Sequence, residues 1–385
     1  MNVLHVYRTY FPDSQGGLEE VIRQICQNTK TLGVSSRVLT ITQSSDAPML
    51  VKRPEADVYR TRQTFEIASC NVSIGSFKAF REHLKWADVV HYHFPWPFVD
   101  LLHLSANVAQ PTIVTYHSDI VRQRSLGVFY YPFMQRFLSQ VDRIICTSPN
   151  YFATSNVLSQ FTDKVEVIPI GITRAGYPEG DDDHLSQLEQ EYGRDFFLFV
   201  GVLRYYKGLH ILLKAIEQAP YRVVIAGSGP TEKELAKEVK RKGLDNVTFT
   251  GYVADKTKVG LFKLCRGIVF PSFLRSEAFG VTLLEGAMFG KPLISSEVGS
   301  GTSHVNIHDE TGFVLPPGSH RALREAMDKL HYQPELAKRM GEKAALRFQQ
   351  LFTGQLMGER YAETYRGLLR QSSLSQASSK VPDFL

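Results

Sequence analysis

Short runs of β-branched and aromatic residues alternate with longer stretches of helical periodicity along most of the chain. In the first half the runs are VLHVY (3–7), SRVLTIT (36–42), ADVVHYH (87–93), TIVTYH (112–117), DRIICTS (142–148) and KVEVIPI (164–170). In the second half they are FFLFVG (196–201), YRVVIAG (221–227), NVTFTG (246–251), RGIVFPS (266–272), PLISS (292–296) and TGFVLPP (311–317). Several are almost wholly apolar, as strands covered on both faces of a parallel sheet must be. Strand-then-helix repetition predicts βαβ units and doubly wound parallel sheets, an α/β chain.

The series breaks once. Residues 172–194, ITRAGYPEGDDDHLSQLEQEYGR, are polar and carry Gly, Pro and an acid run, which reads as an interdomain linker. The expected organisation is a Rossmann-like domain over 1–172, a linker over 173–194, a second Rossmann-like domain over 195–350 and a helix over 351–370. The Ser-rich, weakly patterned end, 371–385, is expected to be a mobile tail. Ligands of such folds sit outside the carboxyl ends of the strands. Two such domains predict a site in the cleft between them, built by the residues that follow each strand.

Composition narrows the partners. The chain has 385 residues, 43% hydrophobic and 22% charged, long enough for two ordinary cores. A net charge of +5 falls short of a nucleic-acid binder and suits an anionic small ligand or membrane surface. Cys26, Cys70, Cys146 and Cys265 form no C-x-x-C pair, so neither a zinc site nor a disulfide framework is expected, and a reducing, cytoplasmic setting fits. The apolar run at the N-terminus is too short for a signal peptide, and no stretch approaches the roughly 18 residues of a spanning helix.

The chemistry gathers at strand ends. SEAFGVTLLEGAMFG (276–290) follows RGIVFPS, with Glu277 in the loop and a helix opening near Val281, so that Glu285 stands about one turn in. FVGVLRYYKGL (199–209) brings Arg204 and Lys207 to a helix start, the unfavourable end for a cation unless an anion binds there. Gly16 and Gly17 in SQGGLEEVI let the backbone approach a phosphate or sugar. The pattern is not G-x-G-x-x-G, so no nicotinamide cofactor is expected. AGSGP, with Gly227 and Gly229, is a turn of the kind that meets a nucleotide. His117 ends strand TIVTY as either a site residue or a structural one, and Asp119 has the alternative of a helix N-cap. The run Asp181–Asp183 lies outside any buried strand and reads as solvated, so no metal site is expected.

The spelling PS-x(4)-EAFG with Glu277 and Glu285 resembles the signature of retaining glycosyltransferases of the GT-B fold, especially family 4. LRYYKGL is similar to that family's G-R-L-x-x-x-K-G element, with Val202 in place of the usual Arg. YHSDI is similar to its T-x-H-D element, with Ser118 inserted, and TGFVLPP to its T-G-x-x-x-x-P ending. The resemblance implies two facing Rossmann-like domains with an interdomain cleft, a nucleotide-sugar donor and no cofactor. It implies donor contacts from Gly16, Gly17, Gly227, Gly229, Tyr252, Val253, Glu277, Ala278, Phe279, Gly280 and Glu285. Lys207 and Arg204 would hold the diphosphate, with Arg204 covering for the absent arginine. Glu277 would bind the sugar hydroxyls, Glu285 the ribose, and His117 would lie near the reacting carbon. EVGSGTSHVN departs from the family's G-G-x-x-E element, leaving Gly299, Gly301 and Thr302 as phosphate contacts. The phrasing looks most like bacterial surface-polysaccharide enzymes that use GDP-mannose, with a glycan or lipid-linked acceptor. The aromatic segment 124–138 fits either membrane contact or a core-facing helix. A UDP-sugar donor, a nucleotide-sugar epimerase and a non-catalytic scaffold are the competing readings.

Overall fold

Each apolar run of the sequence becomes a parallel strand in the computed structural model. It describes residues 1–68, 70–120 and 124–378, the side chains of 124–129 and 375–378 excepted. The chain divides into two compact units, one of Met1–Thr147, Ser155–Gly171 and Gly354–Leu385, the other of Ser148–Thr154 and Ile172–Thr353.

The first unit carries β1 (Asn2–Val6), β2 (Ser35–Thr42), β3 (Leu50–Lys52), β4 (Asp57–Arg62), β7 (Val89–Phe94), β8 (Thr112–Tyr116), β9 (Arg143–Cys146) and β10 (Val165–Val167). They form one sheet in the order β10-β9-β8-β7-β1-β2-β4-β3, parallel except for the β3–β4 pair. A separate antiparallel hairpin joins β5 (Phe65–Ile67) to β6 (Cys70–Val72). Strand order reverses between β1 and β7, and that switch point is where such sheets bind ligands. β7 and β8 are buried throughout, which explains their apolar spelling.

The second unit carries β11 (Phe197–Val200), β12 (Val223–Ala226), β13 (Val247–Gly251), β14 (Gly267–Phe270), β15 (Leu293–Ser296) and β16 (Gly312–Leu315). Their order is β13-β12-β11-β14-β15-β16, all parallel, with the reversal between β11 and β14. The helices Leu209–Ala215 and His320–Tyr332 cover this sheet with a continuous core that includes Leu212, Leu323 and Met327.

Three expectations change. All of the supposed linker belongs to the second unit, and Asp182–Tyr192 is a helix. Its acid run is an N-terminal cap, with the Asp181 carboxylate accepting from the His184 amide at 2.9 Å, and Leu188 docks on Gly260, where any Cβ would come within 2.3 Å of it. The final helix runs over Gly354–Ser378, so residues 371–378 extend it rather than begin a tail; residues 379–385 lie outside the described part. No Gly or Pro interrupts QSSLSQAS, so nothing stops the helix at 370. This helix packs on Gly17–Lys30, with Gly358 against Asn28, and both lie in the first unit. Finally, Ser148–Thr154 joins the second unit, where the Thr154 hydroxyl donates to Gly299 O at 2.7 Å and accepts from Arg275 at 2.6 Å.

Candidate active site

Both glutamates of the second unit sit beside its switch point, in the loop and helix that follow β14. Glu277 is buried. Its Oε2 accepts from Lys207 Nζ at 2.5 Å and from the Ser272 hydroxyl at 3.0 Å. Lys207 comes from the loop after β11, next to β14 in the sheet. Gly208 makes that meeting possible: its φ is +73°, and a Cβ there would stand 2.1 Å from Pro271 O. The helix opens at Val281 as its sequence requires, and Glu285 is buried on it. Glu285 Oε1 accepts from Lys258 Nζ at 2.9 Å and from the Tyr177 hydroxyl at 3.1 Å. Burial depresses the Lys258 ammonium, but the Glu285 and Asp255 carboxylates more than offset this and hold its pKa above the ordinary lysine value.

The two carboxylates are thus built alike. One oxygen of each takes a lysine and a hydroxyl; Glu277 Oε1 and Glu285 Oε2 have no hydrogen-bond partner among the described residues. Each site presents a fixed anionic acceptor, suited to a ligand hydroxyl. Ser272, Lys258 and Tyr177 are the residues that sequence reasoning did not place here. Only Ser272 carried a local signal, as the serine of the PS-x(4)-EAFG spelling.

Other expected site residues fall differently. Arg204 is exposed, and its side chain has no hydrogen bond or ion pair among the described residues. Val202 beside it is 46% exposed. Gly227 and Gly229 have a packing reason: a Cβ on the first would lie 2.0 Å from Gly201 O, and on the second 2.6 Å from Leu203 N. Tyr252 is exposed and Val253 half-buried after β13. Phe279 has its side chain in the core, the ring against Phe352. Ala278 O accepts from Gly301 N at 2.9 Å, while Gly299 N donates to Glu297 and Thr302 Oγ1 to Ser296 O. The donors offered by Gly299, Gly301 and Thr302 are therefore already used within the unit. Gly280 caps the helix of Glu285 with φ +88°.

In the first unit, Gly16 precedes the helix Gly17–Lys30, and a Cβ on it would meet Glu19 Oε2 at 2.4 Å; Gly17 has nothing within 4 Å of such a Cβ. Glu19, buried, accepts from Thr9 at 2.7 Å and Ser14 at 2.8 Å, tying down the loop after β1. His117 stands immediately past β8, buried, with burial pushing its pKa down to about 3. Asp119 accepts from the Tyr116 and Ser155 hydroxyls, each at 2.9 Å, and residues 121–123 beyond it lie outside the described part. The nitrogens of His5, His91 and His93 lie within 4.8 Å of one another. Both nitrogens of His91 and of His93, and Nδ1 of His5, are engaged in hydrogen bonds among the described residues. In the segment 124–138, Met134, Phe137 and Leu138 are core, while Tyr131 and Phe133 face out; side chains 124–129 lie outside the described part.

Comparison with known proteins agrees with this layout. The family described as Glycosyltransferase Family 4 matches residues 15–175, and Glycosyl transferases group 1 matches residues 181–347. D-rhamnosyltransferase WbpZ of Pseudomonas aeruginosa is 50% identical over 353 residues, 92% of each chain. O-antigen chain mannosyltransferase C of Escherichia coli is 46% identical over 373 residues, 97% of this chain and 100% of that one. Among solved structures, sucrose-phosphate synthase from Thermosynechococcus elongatus has a TM-score of 0.81 at 21% identity, covering 96% and 99% of the two chains, a likeness in fold. The family matches extend across both units, and the chain belongs to glycosyltransferase family 4, a glycosyltransferase of the GT-B fold.

Proposed function

We propose that the chain transfers mannose from GDP-mannose, with retention of configuration, to a glycan or lipid-linked saccharide in bacterial O-antigen synthesis. The observation that carries this reading is the matched pair of carboxylates, each held by a lysine and a hydroxyl with one oxygen left open. Glu277 Oε1 accepts from the donor sugar's hydroxyls, and Glu285 Oε2 from the ribose. Lys207 keeps two N–H donors beyond the one given to Glu277, and with Arg204 it stabilises the charge that develops on the departing diphosphate. The sugar–phosphate C–O bond breaks and the acceptor oxygen bonds to the same face of the anomeric carbon. The acceptor's proton passes to the leaving phosphate oxygen, so no protein nucleophile and no metal is required. The O-antigen chain mannosyltransferase at 46% identity supports mannose as the sugar.

A second reading has its own support. The relative at 50% identity is named a D-rhamnosyltransferase, and D-rhamnose is mannose without its 6-hydroxyl. A 6-deoxy sugar on the same nucleotide is the variant to test. Among the described residues no helix is long and apolar enough to cross a membrane. A lipid-linked acceptor would hold the chain at the inner membrane face as a peripheral protein.

Calorimetric titration with GDP, UDP and ADP, first in EDTA and then with magnesium, tests the donor. GDP binding without metal is expected; binding of UDP or ADP alone, or binding only with metal, would overturn the reading. The anomeric configuration of the product, read by NMR, decides retention, and competition between GDP-mannose and its 6-deoxy analogue decides the sugar.

A further inference from the structure

Three strands at the switch point of the first sheet contribute histidines to one line. His5 on β1 and His91 on β7 are register partners, His93 follows on the same face, and His117 stands just past β8. All four are buried. His117 Nε2 lies 3.2 Å from His93 Nδ1, and His93 Nε2 lies 3.1 Å from His5 Nδ1. Burial holds all three rings of this row neutral, with further depression at His93 from the neighbouring histidines. His91 braces the middle of the row: it stacks on His93 at 4.3 Å and is itself fixed by Tyr365 and Thr115, each at 2.7 Å.

A neutral imidazole has one N–H and one lone pair. Three of them joined by two N···N hydrogen bonds must run with a single polarity. Either every ring carries its proton on Nδ1, or every ring carries it on Nε2. The first arrangement leaves a spare N–H at His117 Nδ1 and a spare lone pair at His5 Nε2; the second exchanges them. His5 Nε2 is buried and has no hydrogen-bond partner among the described residues. A buried N–H without an acceptor is among the rarest unmet groups in folded proteins, rarer than an unmet acceptor. His117 Nδ1, at the other end, makes no hydrogen bond within the described residues and lies at the carboxyl end of its strand.

We propose that His5, His93 and His117 are all Nδ1–H tautomers, and that His5 and His93 are positioning residues that present His117 Nδ1–H as a fixed, neutral donor to a sugar oxygen of the substrate. The row acts as a ratchet for hydrogen-bond direction, because no ring can reverse without reversing the others. The substrate part rests on the glycosyl-transfer reading; the tautomer assignment does not.

Neutron diffraction from the deuterated full chain tests the assignment directly. Deuterium on Nδ1 of all three rings is expected. Deuterium on Nε2 of His117, or on both nitrogens of any of the three, would overturn it. The positioning role is tested by His5→Asn, whose amide keeps a donor where Nδ1–H stood, against His5→Leu, which removes it. Asn should keep kcat within about twofold, and Leu should lower kcat about fivefold and shift the His117 15N resonances toward mixed tautomers. Equal loss in both variants, or an unchanged His117 spectrum in the Leu variant, counts against the positioning role. If the Leu variant does not fold, the neutron map still decides the tautomers. A chain with deuterium on all three Nδ1 atoms that transfers no sugar would sink the transferase reading and keep the row.

Discussion

Beside the reversal of strand order, the first unit sets imidazoles and the second sets lysine–glutamate pairs. The sheets share a plan, and the difference lies in how far along the strand each group stands. His5, His91 and His93 are on the strands themselves, wholly enclosed, where desolvation removes their charge. Lys207 and Glu277 stand in loops past the strand ends, with side chains 12% and 9% exposed, and remain an ion pair. At these two sites the histidines on the strands are neutral hydrogen-bonding partners, and the lysine and glutamate past the strand ends are charged.

The largest expected effect comes from removing a charge of the second unit. Lys207→Ala should lower kcat by roughly 10²–10³ and weaken binding of the nucleoside diphosphate. Initial rates together with calorimetry check this, and near-normal activity would break the charge-based account. Glu285→Ala should raise the donor KM about tenfold or more, the scale of one hydrogen bond to a charged group, with the acceptor KM little changed. The contrast is sharpened by Asp100 in the first unit, a carboxyl whose burial raises its pKa from 3.8 to about 8 despite the opposing hydrogen bond from Tyr130. Its folded pKa lies above its unfolded one, so the stability it contributes is full below the unfolded value. That stability is lost as pH rises toward 8. The unfolding free energy should fall by something on the order of 4 kcal/mol between pH 5 and 8, and Asp100→Asn should flatten that slope. An unchanged slope would mean that Asp100 is not the group that titrates. The smallest effect is expected for Lys258→Met, a rise of about threefold to fivefold in donor KM as Glu285 loses one of its two restraints.

The charged half of this comparison was largely readable from the chain. EAFGVTLLE and LRYYKGL are contiguous, and their strands announce themselves by apolar runs. What joins Lys207 to Glu277 across 70 residues is the adjacency of β11 and β14, which periodicity does not reveal. Lys258 and Tyr177 reach Glu285 from 27 and 108 residues away and carry no local pattern. In HYHF, His91 and His93 share a face by strand spacing alone, but His5 enters only through the β1–β7 register. The strand DVYRTR was passed over because its polar alternation suits a place near the sheet edge. The linker reading failed because composition outweighed the helical spacing of LSQLEQEY.

The last helix belongs to the first unit, where Tyr361 and Tyr365 bond to Thr115 and His91. The unit whose synthesis begins first is therefore the last to be completed. The ribosome will have released every residue of the other unit, through Thr353, before the tyrosines that close the first sheet emerge. Removing Gly354–Ser378 should accordingly injure the first unit, while every segment of the second is kept.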